Sequence, residues 1–267
     1  MEGLCILLNR MAYPSRYSDM INLFGRPVPF LSMATNVVLD FIFETHGHRI
    51  TRWNNHILNS ECLENYARAI TMKGAALSNC FCFSDGTVRP ICRPTVNQRQ
   101  AYNGHKRVHS LKFQSLAIPN GIMAHIYGPV EGKRHDAGML RDSLLLNDLD
   151  INAFTRNGNP LCLYGDPAYP LRVHLQSPFR DVQLTQQIKD FNNSMSSVRV
   201  SVEWLFGDVV RTFKCLDFKQ NLKSGLSSVG QMYVVAALME NAHTCLYENL
   251  TSKYFNISPP TLQNYFT

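Results

Sequence analysis

Three acids lie in surroundings that could do chemistry together. Asp85 sits in Phe83-Ser84-Asp85-Gly86-Thr87, directly after a compact apolar run, and Asp166 sits in Gly165-Asp166-Pro167-Ala168-Tyr169-Pro170, after another. Glu203 belongs to Val202-Glu203-Trp204-Leu205-Phe206-Gly207, inside a helical pattern. Carboxylates gathered in one place repel one another unless protonated or bridged by a cation. Their hard oxygens select Mg²⁺ or Mn²⁺. Two such ions ~3.5–4 Å apart can activate a water and stabilise the leaving oxygen of a phosphodiester. Taken singly, each acid also has a plain structural reading, since Asp-Gly and Asp-Pro form turns and a glutamate at a helix edge is usually solvated.

The elements around these acids are legible from hydrophobic period. Residues 80–83 read as a buried strand closed by the turn 84–87, so Asp85 is expected to end the first strand. Residues 111–118, the turn Pro119-Asn120-Gly121 and residues 122–127 form the clearest hairpin. A helix is predicted over 136–146, with Asp136 as its N-cap, then a fourth strand over 161–164 and a long helix over 198–213. With Val202 at the centre of that last helix's apolar stripe, Glu203 falls on the stripe's edge, and Gly207 one turn later leaves room for an approaching group. Strands first, then alternating strand and helix, predict an α/β protein with a mixed sheet flanked by helices.

The first 78 residues read as helical. An amphipathic stretch at 16–24, a break at 25–29 and a helix at 31–44 capped by Ser32 give a helix-turn-helix outline, which many ordinary helix pairs share. Further helix is expected over 51–78. No apolar run is expected to reach the ~18 residues that span a bilayer, so no membrane partner is predicted. The eight cysteines mostly lie in apolar stretches and read as intracellular thiols. His105 and His109 have zinc-finger spacing, but Cys80, Cys82 and Cys92 do not. Neither a phosphate-binding glycine loop nor a serine-nucleophile motif is present.

The net charge of +6 mildly favours a polyanionic partner. More telling, residues 86–130 contain no acid. That stretch carries Arg89, Arg93, Lys106, Arg107 and Lys112, predicted to neutralise DNA phosphates beside Asp85. Tyr102 could stack on a base or simply pack.

The text around the acids resembles the transposases of PIF/Harbinger elements, in the DDE superfamily. The resemblance runs through Phe83 to Thr87, Tyr102 to Gln114, Gly132 with His135-Asp136, Leu163 to Leu171, and Val202 to Gly207, in family order. It implies a ribonuclease-H-like nuclease domain over 79–250, between a helical region at 1–78 and a tail at 251–267. It also implies Asp85, Asp166 and Glu203 as catalytic, metal-binding residues, Mg²⁺ or Mn²⁺ as cofactor, DNA as substrate, a Myb-like DNA-binding protein as partner and the nucleus as location. A domesticated DNA- or protein-binding module without catalysis is the alternative.

Overall fold

Residues 80–83 start the central strand of a six-stranded sheet in the computed structural model, which describes residues 1–180, 183–225 and 228–267. This strand, β1 (Cys80–Pro90), runs antiparallel to β3 (Val108–Ala117), which carries β4 (Met123–Glu131) on its far side. On its other edge β1 runs parallel to β5 (Cys162–Tyr164), and β5 runs parallel to β6 (Leu175–Gln176). A two-residue strand, β2 (Tyr102–Asn103), pairs with the start of β3. The sheet is therefore an antiparallel triplet, β4-β3-β1, continued by two parallel strands. This is the mixed α/β sheet that the strand pattern predicts, in the ribonuclease-H-like arrangement that the family resemblance implies.

The predicted hairpin is β3–β4. Its turn needs Gly121, at φ 83°, because any Cβ there would lie 2.2 Å from Asn249 Oδ1. One expectation fails at β1, which does not end at Asp85. Pairing with β3 carries it on to Pro90, opposite Ser110, while pairing with β5 stops at Phe83 opposite Tyr164. Asp85 thus lies mid-strand, yet just past the point where the parallel neighbour leaves off.

Two predicted helices are present with shifted bounds. The helix expected at 136–146 is two, α7 (Asp136–Asp142) and α8 (Leu145–Asn152), broken where Leu144 takes φ 57°. Asp136 is the first residue of α7, and His135 takes the cap position, so Asp136 is not the N-cap. The long helix α9 (Gln186–Thr212) begins well before residue 198, where the Thr185 hydroxyl accepts from the Ile188 amide. After it come α10 (Val229–Tyr247), α11 (Leu250–Phe255) and α12 (Leu262–Phe266). The expected tail is folded in, with Tyr265 buried and its hydroxyl accepting from Asn241 Nδ2 at 2.8 Å.

The N-terminal region holds α1 (Glu2–Ala12), α2 (Tyr17–Phe24), α3 (Val28–His46), α4 (His48–Thr51) and α5 (Ser60–Met72), and α6 (Gln98–Ala101) lies between β1 and β2. Residues 52–59 are turns, not helix. Ser32 does not cap α3, whose N-cap is Pro27, with Pro29 in the first turn where its missing amide costs nothing. Contrary to expectation, α3 is long and apolar enough to cross a membrane by length and composition, at 19 residues and mean hydropathy 1.2. One stripe of it packs: Leu31 meets Ile6 and Met20, while Leu39 and Ile42 join the core shared with the sheet. The α2–turn–α3 outline is present, but α3 contains no Lys or Arg and exposes Met33, Val37 and Phe41. That face offers nothing to neutralise phosphates.

Candidate active site

Alternation along β1 puts Asp85 and Gly86 on opposite faces of the sheet. Asp85 points to α9, where its Oδ1 meets Arg199 Nη2 at 2.8 Å. A Cβ on Gly86 would instead point at Asp136 Oδ1, 3.1 Å away, on the α7 side. Glu203 lies one helical turn after Arg199 and is exposed, as its place at the edge of the buried Val198-Val202-Leu205-Val209 stripe predicts. A side chain at Gly207, the next turn, would meet only the Arg211 guanidinium.

Asp166 follows β5 and is held by its own turn. Its Oδ1 accepts from the Ala168 amide at 2.7 Å, and its carbonyl accepts from the Tyr169 amide at 2.9 Å. Gly165 makes this turn possible, because a Cβ there would lie 2.3 Å from the Tyr169 ring.

The three acids share one electrostatic neighbourhood. Burial lifts the Asp85 carboxyl above the usual carboxylate range; Arg199 and the Gly86 amide oppose the rise, and the charges of Asp166 and Glu203 add to it. The donor set is chemically right for a hard divalent cation: carboxylates from the middle of β1, from the turn after β5 and from a facing helix. Among the described residues, however, no three metal-ligating side chains stand within holding distance of one ion. Arg199 supplies the positive charge that Asp85 holds here.

The predicted phosphate contacts divide into two groups. Lys106 and Arg107 are exposed on the β2–β3 turn, and Arg93 is exposed with its Nε donating to Gln98 Oε1 at 2.9 Å. Arg89 and Lys112 turn inward instead. Arg89 stacks over the Tyr233 ring at 5.0 Å and donates to the Phe206 carbonyl. The Lys112 ammonium, 7% exposed, is held by Asp136 Oδ1 and the Arg134 carbonyl. Both lie on β-strand positions that face packed helices, so their charge is spent inside the protein.

Arg199 is the site residue that sequence reasoning missed. The signal was its position four residues before Glu203, which puts a cation and an acid one above the other on a helix.

The mixed sheet flanked by helices, with carboxylates beside the point where its parallel strand pair ends, defines an α/β protein of ribonuclease-H-like fold. A family model described as DDE superfamily endonuclease matches residues 84–241, more than half of the chain, and the chain belongs to that family. The match spans Asp85, Asp166, Arg199 and Glu203. Nothing among curated proteins or solved structures matches it.

Proposed function

We propose that this chain is a metal-dependent DNA endonuclease of the PIF/Harbinger transposase type, with Asp85, Asp166 and Glu203 as its catalytic carboxylates. The observation that carries this reading is the family match over residues 84–241, which takes in Asp85, Asp166 and Glu203. When bound, two Mg²⁺ or Mn²⁺ ions would activate a water and neutralise the leaving oxygen of a DNA phosphodiester. The chain's own residues do the rest. The Ala168 amide fixes the orientation of Asp166, and α9 presents Glu203 from the facing side. Arg199 balances Asp85 until a cation takes its place. Lys106, Arg107 and Arg93 are free to hold the DNA backbone. A nuclear location and a Myb-like partner that supplies sequence recognition belong to the same proposal; the cation-free surface of α3 fits recognition supplied in trans.

The test is nicking of supercoiled plasmid in Mn²⁺. The wild-type chain nicks, and Asp166→Asn abolishes nicking while DNA affinity is retained. Nicking that survives this change would falsify the assignment. A second reading, a binding module that keeps the fold without catalysis, draws on the Arg199 contact to Asp85 and the open spacing of the three acids. It predicts DNA binding with no nicking that depends on Asp166.

A further inference from the structure

The face of the sheet opposite Asp85 carries a cavity of about 470 Å³, and Asp166 lies on its wall. Its floor is Gly86 and Val88, one side is the β2–β3 turn with Gly104 and Lys106, and the other is the segment after β4 with Lys133. The two sides are clamped together. Asn103, itself buried, donates from Nδ2 to the Gly132 carbonyl at 2.8 Å and accepts the Lys106 amide on Oδ1 at 2.9 Å. Gly132 lets them close, because a Cβ there would lie 2.3 Å from the Ala101 carbonyl oxygen.

The charges on this cavity sort by partner. Lys112 is used by Asp136, and Arg134 by Asp142. Lys106 and Lys133 are exposed, and among the described residues neither meets an acid. The cavity therefore offers two uncommitted ammonium groups and walls of mixed polar and apolar character, next to an acid of the candidate site. Its volume falls within the roughly 300–1,000 Å³ of small-molecule sites, far too narrow for a duplex.

We propose that this cavity receives one unpaired nucleotide of the DNA strand beside the bond to be cut, its phosphate held by Lys106 and Lys133. The inference rests on the endonuclease reading and adds to it a preference for locally unpaired DNA. A base drawn out of the stack crosses the sheet edge at Asp166, while the duplex stays on the α9 side with Asp85 and Glu203. Unstacking costs a few kcal/mol in paired DNA and little where the strand is already single, so an unpaired strand is favoured.

The experiment compares two fluorescein-labelled duplexes of equal length, one fully paired and one with a single-stranded flap, bound to the full chain in EDTA. The flap duplex should bind about tenfold more tightly. Gly104→Phe adds a bulky ring at the cavity wall, at a position where a Cβ meets no atom within 4 Å. Lys133→Ala removes a surface charge and leaves the core untouched. Each should reduce the preference to below about threefold, with paired-duplex affinity largely kept in Gly104→Phe. Equal affinity for the two duplexes, or a preference that survives in both variants, overturns the proposal. Nicking in Mn²⁺ is scored in parallel. Asp166-dependent nicking without flap preference removes only the cavity inference, whereas flap preference without nicking removes only the nuclease reading.

Discussion

Arg199 Nη2 lies 2.8 Å from Asp85 Oδ1, joining the helix that carries Glu203 to the strand that carries Asp85. Both side chains are about one-fifth exposed, so the pair is only partly screened by solvent. It places a fixed positive charge where a divalent cation would compete for the same carboxylate.

That competition is measurable. Arg199→Ala leaves Asp85 facing Asp166 and Glu203 uncompensated, and should lower stability by about 1–2 kcal/mol in EDTA at neutral pH. Adding Mn²⁺ should raise the melting temperature of the variant by more than it raises that of the wild type, because a ligand that binds only the folded state stabilises it. Equal Mn²⁺ shifts in the two proteins would show that Arg199 and the cation do not share Asp85.

Gly165 sets the position of Asp166. A Cβ there would stand 2.3 Å from the ring of Tyr169, which is itself buried. Gly165→Ala must push that ring or the turn aside, at a cost of about 1–3 kcal/mol. The folded variant should lose nicking in Mn²⁺ out of proportion to its lost stability, because Asp166 moves with the turn. Unchanged nicking per folded molecule argues that Asp166 is not held to a narrow geometry.

Much of the site was legible because it rests on local signals. Asp166 follows an apolar strand in a Gly-Asp-Pro turn, and Glu203 follows from the helical stripe around Val202. The hairpin followed from Pro119-Asn120-Gly121. What the sequence hid depends on pairing between distant segments. Asp85 lies mid-strand because β3 keeps pairing past it, and β6 is two residues long, too short for a period to show. The inward turn of Arg89 and Lys112 is of the same kind: a basic residue on a strand faces solvent or core according to what packs on the sheet, here Tyr233 of α10 and Asp136 of α7. Composition counted their charges but could not say where they were spent.

That division separates two classes of lysine and arginine variant. Replacing Lys106 and Arg107 together by alanine should weaken DNA binding at every sequence and reduce the salt dependence of log K by about 2, with little change in melting temperature. Lys112→Met should do the reverse. It strands Asp136 beside an apolar side chain and should cost about 1–3 kcal/mol of stability, with the affinity for fully paired DNA per folded molecule unchanged. Fluorescence anisotropy over a salt series, with thermal denaturation alongside, reads both effects. A Lys112→Met variant that keeps full stability but loses salt-dependent binding would place Lys112 at the DNA after all.

His125 offers a test of the core that is independent of the site. It lies on β4 opposite Leu116, buried, with its Nδ1 unpartnered, and burial alone pulls its pKa down to about 4. An unfolded histidine titrates near 6.5. Between those values the unfolded chain binds a proton that the folded chain refuses, so stability is full above about pH 6.5 and is lost as pH falls toward 4. From pH 7 to pH 5 this one group should remove about 2 kcal/mol. His125→Leu, close in volume and unable to titrate, should lessen the acid sensitivity by that amount, whatever its own effect at pH 7. Urea melts of both proteins at the two pH values make the comparison. If the two proteins lose the same stability on acidification, the histidine is reached by water or a partner in the folded state, and β4 is less tightly covered by α10 than the Asn241 bonds to both the Met123 amide and carbonyl indicate.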